Sequence, residues 1–181
     1  ADPVEQSPAV DFTDSATGVM VSADKGVFEE GVQIVVSETT QGADYDAAAS
    51  SLSDVGKKFK LYDVNFLDAD GNEVAPNGTV SIRFPVAAGY DSANLAVYRL
   101  ADSGKVLVRG TVEDGYYTVS TKTAGAYVLV EKGSTITDAE NTQNVSNGDT
   151  AVPQTGDDSN VAAYALLALA AAGMMGVTLV T

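Results

Sequence analysis

The sequence predicts a mainly β protein: an antiparallel β-sandwich with one short helix, followed by a C-terminal segment long enough to cross a membrane as a helix. Three observations carry this reading. From Gly18 onward apolar residues recur at a spacing near two, the period of a half-buried strand. Turn residues, mostly Gly with Asp or Asn, punctuate those runs at short intervals. The last apolar run, Val161 to Val180, contains no charged residue.

Residues 1–17 contain Pro and Asp without a sustained period, and are expected to be a flexible leader or a linker from a preceding domain. A domain is expected over 18–132. Gly18 to Ala23 reads as its first strand, and Val32, Ile34 and Val36 alternate with polar neighbours in a second. From Asp44 to Val55 the pattern changes. Asp44 can cap, Ala47-Ala48-Ala49 favours helix, and Gly56 stands where a helix would stop, so one short helix is expected to cross between parts of the sheet. Phe59 to Leu67 is apolar on both faces and belongs in the middle of the fold. Asp70-Gly71 and Pro76-Asn77-Gly78 are turns. Val80, Ile82, Phe84 and Val86 form a half-buried strand. Pro85 ends its pairing or confines it to an edge. Leu95–Leu100, Val106–Val108, Tyr116–Thr121 and Tyr127–Val130 complete the set, joined by tight turns. The spacing suits a sandwich of immunoglobulin-like character, although no Cys…Trp…Cys signature is present.

Composition removes several classes of function. The 181 residues include no Cys, His or Trp. Disulfides, thiolate metal sites and Ser-His-Asp or Cys-His catalysis are therefore unavailable, and no cofactor is expected. Asp and Glu outnumber Lys and Arg by 25 to 10, giving a formal net charge of −15. Such a chain repels phosphate backbones, so nucleic acid is not an expected partner.

Residues 133–151 are rich in Thr, Asn, Ser, Gly and Asp and read as a disordered spacer. Behind them come Val152, Pro153, Gln154, Thr155 and Gly156, then a short polar stretch, then the apolar span 161–180. Twenty helical residues reach about 30 Å, the thickness of a bilayer's hydrocarbon core. Asp157 and Asp158 before the span, with no Lys or Arg, predict that this side faces outward.

This arrangement resembles the C-terminal sorting signal of Gram-positive cell-wall surface proteins, the substrates of sortase, whose pattern is Leu-Pro-X-Thr-Gly, an apolar span and a basic tail. The resemblance covers Val152 to Thr181. Val152 takes the place of the usual Leu, and the sequence ends at Thr181 ahead of any basic tail, which is expected to have been trimmed. It implies cleavage between Thr155 and Gly156 and transfer of the Thr155 carbonyl to a cell-wall amine. The implied partners are sortase and peptidoglycan, with the membrane span transient. The implied location is the cell wall on the extracellular side, and the chain would be a substrate, not an enzyme. Pro153 suits the role because its fixed φ keeps the peptide from continuing as helix.

Within the sandwich, three groups of residues invite a functional reading. Asp68, Asp70, Asn72 and Glu73 resemble part of a calcium loop, but Gly71 comes fourth where an EF-hand needs its glycine sixth, and turn geometry accounts for them. Lys60, or another strand Lys, would form an intramolecular isopeptide bond with an Asn such as Asn65 only if buried together with an acid, whereas a solvated Lys is the ordinary case. Tyr62, Tyr90, Tyr98, Tyr116, Tyr117 and Tyr127 could line a sugar platform or simply pack in and around a core. The expected function is a non-enzymatic surface protein whose sandwich is a stalk or a module for an unknown extracellular ligand. The alternatives are a carbohydrate-binding accessory domain and an uncleaved single-span membrane protein.

Overall fold

A computed structural model of the chain describes residues 7–138. These form two antiparallel five-stranded sheets packed face to face. The first holds β1 (Val10–Thr13), β2 (Met20–Ala23), β5 (Val80–Pro85), β9 (Tyr116–Thr121) and β8 (Gly110–Glu113), in that order. The second holds β3 (Gln33–Thr39), β4 (Lys58–Leu67), β10 (Gly125–Glu131), β6 (Leu95–Ala101) and β7 (Gly104–Val108). β2 and β5 bury alternate residues, as the apolar period requires. Val21, Ile82, Phe84 and Val119 meet Tyr62, Val64, Phe66, Val97, Tyr127 and Leu129 between the sheets. Phe84 joins the two layers, with its ring 5.3 Å from Tyr62 and 5.7 Å from Tyr127.

β4 is apolar on both faces because both are covered. Its other face carries Phe59 and Leu61, which pack with Val128, Val130 and Ala96 under α1 (Ala43–Ser51) through Ala48 and Leu52. The helix links β3 to β4, which are hydrogen-bonded neighbours, so it roofs the second sheet and does not cross between distant parts of it. It begins one residue before Asp44, with Gly42 at its N-cap and no side-chain cap. It also ends earlier than the sequence suggests: Leu52 to Gly56 form a turn closed by the Gly56 N–H on the Leu52 carbonyl.

Other boundaries shift as well. Val10–Thr13, inside the expected leader, pairs with β2 from Val10↔Ala23 to Thr13↔Met20. The local polarity of this stretch hides an edge strand that only β2 supports. β8 has one apolar residue, Val112, and escapes a periodicity argument. It exists because the chain leaves β7, changes sheet at Arg109 and pairs with β9. Gly110 makes that step possible, since a Cβ there would run into the Thr118 carbonyl oxygen. Pro85 is the last residue of β5, which lies at the centre of its sheet and not at an edge. Pairing with β2 stops at Arg83, so no donor is missed on that side.

The register fixes two ends. β1, β3, β5 and β10 begin at, and β2, β4 and β9 reach, the end called upper here; β10 finishes at the lower end. The chain enters at the upper end, where Ser7 hydrogen-bonds the Gly26 N–H and the Phe28 carbonyl. It leaves at the lower end and continues as ordered chain past the expected boundary at 132. There Gly133 N–H donates to Val55 O, Lys57 N–H to Ser134 O and Lys58 N–H to Ser134 Oγ. Residues 133–138 thus strap the start of β4.

Candidate functional site

Among the described residues, the lower end concentrates buried polar chemistry. Lys58 stands directly opposite Glu131 in the β4–β10 register, on the face that looks between the sheets. Its side chain is only 2% exposed and its Nζ lies 2.9 Å from Glu131 Oε2. It also donates to the Gly89 carbonyl and sits 4.5 Å from the centre of the Tyr90 ring. Glu131 accepts in addition from the Asp91 N–H at 2.8 Å. A buried ammonium needs this degree of satisfaction, because an unpaired one would be too costly to keep.

Two residues along, Lys60 contacts Glu38 at 2.8 Å and Asp138 at 3.7 Å. Burial works against the Lys60 ammonium, but the Glu38 hydrogen bond and both carboxylates outweigh it and hold its pKa above the usual lysine value. Burial pushes the Tyr62 hydroxyl well above the usual tyrosine range, and Glu38 and Asp138 add to the shift. The Tyr90 hydroxyl is shut away from water beside the Asp138 carboxylate, and burial first, then Asp138, raises it further. The cluster ties the start of β4 to β3, to the end of β10 and to residues 133–138.

The upper end differs. Phe28, Val32, Val74 and Ala75, with Glu29, Glu30 and Asp68 at its edge, surround a cavity of about 270 Å³. That volume is below the usual range for small-molecule pockets.

Of the residues singled out in the sequence, Val152, Pro153, Gln154, Thr155 and Gly156, and the apolar span 161–180, lie outside the described residues. No described helix is long and apolar enough to cross a membrane. The Asp68 carboxylate turns inward, accepting from the Asp70 and Asn72 N–H groups at 2.9 Å each and from the Asn72 side chain. These bonds, the Asn72 backbone donor foremost, hold its pKa below the usual carboxylate value. Asp68, Asp70 and Asn72 therefore build a turn, with Gly71 at φ 85°. Lys60 and Asn65 project from opposite faces of β4, because they are an odd number of residues apart, and cannot be joined. The tyrosines do not form one surface. Tyr62, Tyr117 and Tyr127 point between the sheets, Tyr98 packs under the helix side, and Tyr116 lies against Arg83 on the opposite outer face.

Lys58, Glu131 and Tyr90 carry the lower cluster, and neither Lys58 nor Glu131 stands out in the sequence. One signal could have found the first: Lys58 shares its parity with Tyr62, Val64 and Phe66, so an inward β4 face carries it inward too.

Comparison with protein-family models, with curated proteins and with solved structures finds no match to this chain.

Proposed function

We propose that this chain is a non-enzymatic surface protein, joined to the cell wall by sortase, with the sandwich as a stalk or interaction module. The observation that carries the reading is the order of its C-terminal sequence: Val152-Pro153-Gln154-Thr155-Gly156, a polar step, and then the uncharged run 161–180. The span would cross the membrane as a helix until cleavage after Thr155.

Two features of the sandwich support a display role. Its chain enters at one end and leaves at the other, so the domain holds its N-terminal and C-terminal flanks a full strand length apart. Its polar clusters among the described residues are consumed in holding the fold. The immunoglobulin-like assignment draws support from Tyr127, which opens β10 and returns its hydroxyl to the Thr123 carbonyl in the corner after β9, a known device of such sandwiches.

The test is mass spectrometry of cell-wall and membrane fractions. A C-terminus at Thr155 linked to a peptidoglycan amine is expected, and lost in a Thr155→Ala variant. An intact span recovered only from the membrane fraction sinks the proposal.

A further inference from the structure

β7 is an edge strand whose protection has been withdrawn. It pairs with β6 from Ala101↔Gly104 to Val97↔Val108, and no described strand pairs with its other side. Alternate N–H and C=O groups along that side are therefore open to a further strand. β7 contains neither Pro nor a bulge. Val106 and Leu107 are 45% and 51% exposed, among the most exposed large apolar residues described. Sheet edges are commonly guarded by a charge, and the one charge on β7 is Lys105. Its ammonium is bound instead to the Ser51 carbonyl at 2.8 Å and to Asp54 at 2.6 Å, under α1 and off the edge.

The local charge favours one kind of occupant. Arg99 stands opposite Val106 in register, and Arg109 comes directly after β7. Neither has an ion-pair partner among the described residues, in a chain of net charge −15. We propose that β7 receives an extended segment of a partner protein as an added strand, with carboxylates on its inner side and apolar side chains on its outer side. The carboxylates would flank Val106, with the long Arg99 side chain extending toward them from β6, one strand further in. The apolar side chains would lie on Leu107, beside its cross-strand neighbour Tyr98. Main-chain bonds would supply affinity and the two faces would supply selection. A second copy is disfavoured by its own negative charge.

The probe is a capped heptapeptide alternating valine with glutamate, titrated into the full chain in mild detergent and followed by amide exchange and NMR shifts. Protection of β7 amides by at least about tenfold is expected, falling with added salt. A valine–lysine peptide should bind at least about tenfold more weakly. Leu107→Lys, at an exposed position, should abolish protection, and Arg99→Glu should reverse the preference between the peptides. Equal binding of the two peptides overturns the proposal, as does protection centred on another edge. It also fails if the outward-facing β7 amides, those not bonded to β6, are already protected in the chain alone, whether by self-association or by the chain's own remaining residues.

Discussion

At the lower end of the sandwich, Lys58, Lys60, Glu38, Glu131 and Asp138 pair with one another beside residues 133–138. At the upper end, Glu29 and Glu30 edge an open cavity, and they, Asp70 and Glu73 carry no ion pair with any described residue. The same acidic composition thus serves two purposes. Where cations are available and water is excluded, carboxylates fix register and close the core. Where no cation pairs with them, they hold a turn or nothing at all. Net charge alone does not distinguish these cases; the parity of each residue on its strand does.

The contrast can be broken at its strongest point first. Lys58→Ala leaves Glu131 facing the inter-sheet space without its cation, and is expected to cost about 3 kcal/mol in denaturant unfolding. Combining Lys58→Met with Glu131→Leu should recover most of that loss, since an apolar pair of similar volume is tolerated where a half-pair is not. A double variant as unstable as the single one would show that the ion pair is not the source of the effect.

The strap comes next. A Cβ on Gly56 would run into the Glu131 carbonyl oxygen and the Ser134 hydroxyl. Gly56→Ala should cost about 2 kcal/mol and speed exchange of the Lys57 and Lys58 amides, whose acceptors belong to Ser134. Upper-end amides should keep their rates.

Alkaline pH sharpens the comparison further. An unfolded tyrosine ionises near pH 10, whereas Tyr62 stays neutral well above that in the fold. A raised folded pKa means stability that is intact below the unfolded value and lost as pH climbs past it. By about pH 11, Tyr62 alone should remove about 1.4 kcal/mol. Lys60, also raised, acts in the same direction. Unfolding curves on either side of pH 10, with Tyr62→Phe as control, measure this.

The smallest effect belongs to the upper end. Asp68→Ala should leave the unfolding midpoint nearly unchanged while the Asp70 and Asn72 amides exchange faster, because the turn they lose is exposed and local. A large shift in the midpoint would mean that this end is closed more firmly than its geometry indicates.

Much of this architecture is readable from the residues alone, because it rests on local period. The alternation in Val80, Ile82 and Phe84, the double-faced apolarity of Phe59 to Leu67, and the Asp70-Gly71 turn each dictate their own structure. The parts that escape depend on partners distant in sequence. β1 and β8 are strands because β2 and β9 lie beside them, and β8 further needs Gly110 to let the backbone pass. The ordered stretch 133–138 looks like spacer by composition, and is held by the start of β4, far earlier in the chain. The lower cluster is hidden for the same reason: Lys58 and Glu131 become neighbours only through the β4–β10 register. Lys60 and Asn65, close in sequence, are separated by the simplest rule of a strand.

The opposite placement of the chain's two exits also determines how the domain would bear a load. Tension applied through residue 7 and residue 138 runs along the strand axes. β10 lies between β4 and β6, so its two ladders would be sheared together and not unzipped one bond at a time. Before that force reached β10 it would have to peel the Ser134 bonds and part Lys60 from Asp138. The lower end would then act as a clip in series with two shear joints, β10 between β4 and β6 and the short edge strand β1 against β2.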